Sequence, residues 1–186
     1  MRKWIRIGFV LMSGILLGGC GRRELEDREF PTVLVVDSAD LSARRKALQE
    51  RSSKYIDYGH VKAVILSEDE IYEPESLREI LDYLEGNPAF ARNILMFAGD
   101  EEVLALAEKN EDDTGLYLED LAKNRPGKEE EGLMLKDLLN YLHNSEASIE
   151  IPGLVVEGGA LLPGESFVIT RDAVTAGNIP VPKRVD

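Results

Sequence analysis

The stretch from Val61 to Phe97 constrains the fold more than any other part of the chain. Two short apolar runs, Val61–Leu66 and Asn93–Phe97, flank one strongly periodic segment, Glu75–Glu85. There Leu77, Ile80, Leu81 and Leu84 recur at i, i+3, i+4 and i+7, which sets four apolar side chains along one helical stripe. Pro74 suits the first turn and Gly86 supplies the stop. The flanking runs are short and apolar, so they predict buried strands. Strand, helix and strand within about 37 residues make a βαβ unit, whose strands run parallel through a right-handed crossover. The expected fold is α/β (α+β): one domain with a mixed β-sheet flanked by helices.

The remaining segments fit around that unit. Thr32–Asp37 predicts a first strand, closed by Asp37-Ser38, and Leu41–Ser53 a helix anchored by Leu41, Ala47 and Leu48. Asp100 caps a helix through Lys109, and Thr114 caps another over Gly115–Asn124. Arg125-Pro-Gly-Lys128 breaks the chain. Glu129–His143 then predicts a helix with Leu135, Leu138, Leu139 and Leu142 on one face. Strand character returns at Gly153–Val156 and Ser166–Thr170, with Gly158-Gly159 as hairpin residues between them. No internal repeat is present.

The N-terminus carries a different signal. Arg2, Lys3 and Arg6 form a positive region, Ile7–Leu17 an apolar one, and Gly18-Gly19 precede Cys20, the only cysteine of the chain. This order is that of a bacterial lipoprotein signal peptide, residues 1–19, cleaved before the lipid-bearing cysteine. Eleven helical residues span roughly 16 Å, about half of a ~30 Å hydrocarbon core, which disfavours a permanent span. The alternative is an uncleaved anchor over Trp4–Leu17. On the first reading Cys20 is the lipidation site, and the mature protein is anchored to the outer face of the cell membrane. Two acyl chains hold far more tightly than one, at about 0.8 kcal/mol per buried methylene. Residues 20–30 then form a polar tether, 31–172 the folded domain and 173–186 a tail with Gly177, Pro180 and Pro182.

Charge excludes one class of partner. Cleavage at Cys20 removes three positive and no negative charges, taking the formal net charge from −13 to −16. Phosphate-backbone binding needs clustered cations, and Arg22-Arg23 and Arg44-Arg45-Lys46 are short and flanked by acids, so nucleic acid is not an expected partner. Anionic headgroups would repel such a chain, leaving attachment to the acyl chains. With 44% hydrophobic residues, a packed core is expected.

Chemistry-bearing patterns are sparse. The two histidines, His60 before a strand and His143 at a helix end, do not form a ligand-spaced pair, and neither has an evident acid and serine partner. At the end of a helix, His143 complements the dipole. Asn110-Glu-Asp112-Asp-Thr114-Gly115 resembles half of a calcium loop, but its twelfth position is Leu121, so a solvated turn is expected. Gly158-Gly159 opens no G-x-G-x-x-G phosphate loop. No catalytic residue, metal site or cofactor is expected, and the chain is read as not an enzyme.

Three stretches carry a family resemblance. Cys20-Gly-Arg-Arg-Glu-Leu-Glu-Asp-Arg-Glu-Phe30 leads into Val33-Leu-Val-Val-Asp37. Tyr58-Gly-His-Val-Lys-Ala-Val-Ile-Leu-Ser-Glu68 follows. The third comprises Leu77–Leu84, Asn87-Pro88, Arg92 and Met96-Phe-Ala98, then Thr114-Gly115-Leu-Tyr117. In order and spacing they resemble the Ger(x)C family of spore germination lipoproteins, the C subunits of nutrient germinant receptors, over residues 20–170 and as that family's N-terminal domain only. The Trp-Asp that usually follows the family's cysteine is replaced here by Gly21-Arg22. The resemblance implies a non-catalytic role in germination, contacts with integral membrane receptor subunits, and a place at the spore inner membrane. The competing readings are a free-standing envelope lipoprotein that captures a small molecule, which a cleft with convergent polar groups would favour, and a lipoprotein of unrelated envelope role.

Overall fold

A computed structural model describes residues 25–124, 132–144 and 148–170. Its centre is a parallel sheet of three strands, β2 (Val33–Val36), β4 (Ala63–Ser67) and β5 (Leu95–Gly99), arranged in that order. Every residue of the three is buried. The pairing is in step throughout: Val33 lies opposite Ala63, and Ala63 opposite Leu95, through to Ser67 opposite Gly99. The expected βαβ unit is thus present. Its helix, α3 (Pro74–Gly86), buries Leu77, Ile80, Leu81 and Leu84, all four residues of the expected stripe.

Alternation along the strands divides the core into two layers, because successive side chains point to opposite faces. On one face Leu34, Val36, Val64, Leu66, Met96 and Ala98 pack with α1 (Leu41–Arg51) through Leu41, with α3, and with α6 (Leu135–His143). On the other, Val33, Val35, Ala63, Ile65, Leu95 and Phe97 meet α4 (Glu101–Lys109) and α5 (Glu111–Lys123). Two antiparallel pairs complete the layers. β6 (Ser148–Ile151) with β9 (Phe167–Thr170) joins the first face, and β7 (Leu154–Glu157) with β8 (Ala160–Pro163) the second. The mixture of parallel and antiparallel pairing is therefore spread over separate sheets.

Several boundaries differ from the sequence expectation. The third core strand begins at Leu95 and not Asn93, since a turn in which Ile94 donates to the Ala91 carbonyl at 3.2 Å holds the preceding chain. The last helix begins at Leu135 and not Glu129. Leu133 and Met134 are extended and lie along β5, where Met96 N donates to Leu133 O and Leu135 N to Ile94 O, both at 2.9 Å. Residues 129–131 lie outside the described segments. Helix α5 starts four residues before Gly115, so Thr114 sits inside its first turns and not at the cap, its hydroxyl donating to Asn110 O at 2.8 Å. Asp100 does cap α4, accepting from Val103 N at 3.0 Å.

Helix α1 departs most in its packing. Leu41 is its only buried residue, whereas Ala47 is exposed and Leu48 is 37% exposed, so of the three expected apolar anchors only Leu41 holds it. Polar groups do the rest. Asp40 caps it through Ala43 N at 2.9 Å, Arg44 pairs with Asp37 and Glu108, and Gln49 bonds Lys54 O and Ile56 N. Arg45 lies 4.3 Å from the Tyr58 ring centre and 5.5 Å from that of Phe90, while its Nη1 donates to the Tyr83 hydroxyl at 2.7 Å. A short helix, α2 (Glu68–Tyr72), capped by Ser67, has no counterpart in the sequence expectation. In the segment expected as a tether, Arg28-Glu29 (β1) pairs in parallel with Tyr55-Ile56 (β3).

Candidate functional site

Cys20 lies outside the described residues. The other residues singled out in the sequence are spread through the framework. His60 is exposed, its ring edge-on to Phe30 with centroids 4.8 Å apart. His143 ends α6, with Nε2 3.1 Å from Glu85 on α3, and Arg92 donates to the same carboxylate at 3.0 Å. That pair of contacts, His143 first and Arg92 second, holds the Glu85 carboxyl below its ordinary range. The segment Asn110–Gly115 is no metal loop but the start of α5, with Asp112 and Asp113 exposed in its first turn. Gly158 and Gly159 form the β7–β8 hairpin turn at φ of 60° and 80°, a region that glycine enters without strain.

The motif residues behind the resemblance turn out to be joints between elements. Gly59 N donates to Asp57 Oδ1 at 3.1 Å, and Asp57 in turn accepts from Arg28 at 2.9 Å, fixing the turn that feeds β4. Lys62 donates its amide to Thr32 O at 2.7 Å and accepts from Leu95 N at 2.9 Å, so its backbone bridges the neighbours on both sides while its side chain stays exposed. Asn87 accepts from Ala89 N at 3.0 Å and closes the turn after α3. Tyr117 donates its hydroxyl to Leu161 O at 2.6 Å, tying α5 to the β7–β8 hairpin. Thr114-Gly115 places α5 directly against Thr32.

A family model described as the spore germination protein N-terminal domain matches residues 40–156, more than half of the 186-residue chain. The chain belongs to that family. No curated protein and no solved structure gives a match. The matched stretch of this spore germination domain opens at Asp40, the cap of α1, and closes inside β7, so it contains two of the three core strands. The motif stretches from Gly59 to Tyr117 fall within it.

One cleft stands out in the spore germination domain. It measures about 490 Å³ and lies along the outer edge of β5, which two separate segments share. Met134 bridges antiparallel to Leu95, whereas Gly153 bridges in parallel to Ala98. The two segments run in opposite senses, and the cleft opens between them. Its floor is apolar, with Phe97, Leu121, Met134 and Leu154, and Lys136, Asp137 and Glu150 add charge. The sequence alone does not reveal it. The lining comes from α5, the α6 entry, β6 and the two connections around β7 and β8, and no motif spans residues so far apart.

Elsewhere the carboxylates respond to their surroundings. Glu70, on α2, is pushed above its ordinary range by burial first and then by Glu73, Asp37 and Asp69, with Ser76 donating a hydrogen bond to it. Burial also raises the Tyr58 phenol, against the opposing charge of Arg45.

Proposed function

We propose that this spore germination domain is a lipoprotein of the receptor C-subunit type, tethered through Cys20 to the outer face of the spore inner membrane and acting by contact with integral membrane subunits, without catalysis. The match to the germination family over residues 40–156 carries the reading, and the lipoprotein signal ahead of Cys20 supplies the tether. No helix among the described residues is long and apolar enough to cross a membrane, in keeping with attachment from outside the domain. The motif residues support a scaffold role, since Lys62, Tyr117 and Gly115 hydrogen-bond to neighbouring elements and Asn87 closes the turn after α3. A tether confines the domain beside its membrane partners, so a modest interface suffices at the resulting effective concentration.

Deletion of the gene tests this. Mutant spores are expected to germinate slowly with nutrients, while growth, sporulation and germination by agents that bypass the receptors stay normal. Cys20→Ser should release the protein from membranes and reproduce the deletion. Normal nutrient germination in both strains, with no receptor subunit co-purifying from spore membranes, would refute the role. Membrane-bound protein that keeps its N-terminal methionine by intact mass would refute the tether.

A further inference from the structure

The charges around the β5 cleft point to a particular ligand chemistry. The cleft meets the first turn of α6, and such a helix start ordinarily offers amides to an anion. Here those amides are taken. Leu135 N donates to Ile94 O, Lys136 N to Arg92 O and Asp137 N to Met134 O, each at 2.9 Å. Asp137 Oδ2 accepts from Met134 N at 2.9 Å as well, which sets a carboxylate where an anion would otherwise sit. Among the described residues, the lining then holds two carboxylates, Asp137 and Glu150, against one ammonium, Lys136, together with the apolar Phe97, Leu121, Met134 and Leu154. The volume is in the range of small-molecule sites, which combine an apolar floor with a few placed polar groups.

We propose that this cleft binds a small organic amine, its apolar body against Phe97 and Met134 and its ammonium group at Glu150. The net charge of −13 adds a long-range field that draws cations toward it. Neither the germination role nor the lipid tether is needed for this inference.

Benzylamine, benzyl alcohol and benzoate share one ring and differ in head group, so they separate shape from charge. The full chain in detergent is titrated with each, following the Met134 methyl signal by NMR, with that signal identified by its loss in Met134→Leu. Benzylamine is expected to shift it and to bind tighter than benzyl alcohol by up to roughly fivefold, since a partly exposed ion pair is worth up to about 1 kcal/mol. Benzoate is expected to bind more weakly than either. Glu150→Gln, at an exposed rim position, should erase the preference for the amine, and Ala122→Phe, which fills the cleft, should abolish the shift while the thermal transition is retained. The proposal is overturned if benzoate binds as tightly as benzylamine. It is overturned equally if none of the three moves the methyl signal, if benzylamine binds no tighter than benzyl alcohol, if the preference for the amine survives Glu150→Gln, or if the shift survives Ala122→Phe.

Discussion

Thr32 and Gly115 are joined by a hydrogen bond from the Gly115 amide to the Thr32 hydroxyl, 2.9 Å long, across 83 positions of sequence. The same hydroxyl shares its one proton between the carbonyls of Glu111 and Asp112, each at 3.0 Å, and the Thr32 amide donates to Glu111 O at 3.0 Å. Thr32 therefore fastens the first turn of α5 to the start of β2. A Cβ on Gly115 would stand 1.9 Å from the Thr32 carbonyl oxygen, so only glycine allows this approach. The Thr32 carbonyl also accepts from Lys62 N, so the joint reaches into β4.

Gly115→Ala is expected to destabilise the domain by about 3 kcal/mol. The obstacle is backbone and cannot rotate away, and overpacking of this kind outweighs the ~1 kcal/mol by which alanine exceeds glycine in helix propensity. For a chain of this size the loss lowers the melting temperature by roughly 6–12 °C, which calorimetry can read. An unchanged transition would show that α5 is free to shift.

Leu81 is fully buried at the centre of the α3 stripe, in the layer formed with Val64 and Met96. Leu81→Ala should cost about 2–5 kcal/mol by denaturant titration, through lost transfer energy and the cavity left behind. Leu81→Asp adds an unpaired buried charge, and soluble yield should collapse because the cost approaches a domain's whole stability of ~5–15 kcal/mol. A normal yield of the aspartate variant would contradict the core assignment.

Arg45 holds α1 in place where apolar contacts are few. Removing a guanidinium from aromatic faces costs about 1–2 kcal/mol when the group is desolvated, and Arg45→Ala also forfeits the bond to Tyr83. Hydrogen exchange should quicken over residues 41–51 while α3 stays protected. Equal acceleration in both helices would mean that α1 has no separate opening.

Glu70 and Glu85 should respond to pH in opposite senses. The folded Glu70 carboxyl lies above its ordinary value of 4.5, so folding favours its protonated form and its charge opposes folding at neutral pH. Glu70→Gln is expected to stabilise at pH 7, with the gain shrinking as pH falls through the raised folded value, where wild-type Glu70 becomes protonated, and absent below 4.5. Glu85 lies below 4.5, so its contribution is present above that value and is lost as pH falls through the depressed value. Glu85→Gln should destabilise at pH 7 and be neutral in strong acid. Denaturation series at several pH values check both, and shifts of the same sign would refute the assignment.

Local patterning alone makes some elements plain. The stripe in α3 and the buried runs that form β4 and β5 are read directly from the residues, because a periodic apolar face can serve only one burial geometry. Asp100 and the Gly158-Gly159 turn are legible for a similar reason, since capping and positive φ are demands met within a few residues. The basic and then apolar order of residues ahead of Cys20 is likewise a property of the sequence.

Tertiary contacts decide the rest. Met134 carries no local sign that it must be extended, yet its neighbours pair with β5, and those hydrogen bonds override the helical pattern that runs back to Glu129. Thr114 looks like a cap in isolation, but Thr32, just ahead of β2 and far away in sequence, sets where α5 begins. Arg45 reads as surface charge in the sequence, whereas in the fold three rings from distant segments converge on it. The β5 cleft has the same origin. It exists because two chain segments approach one strand edge from opposite directions, and pairing between segments so far apart in sequence leaves no periodic trace in either.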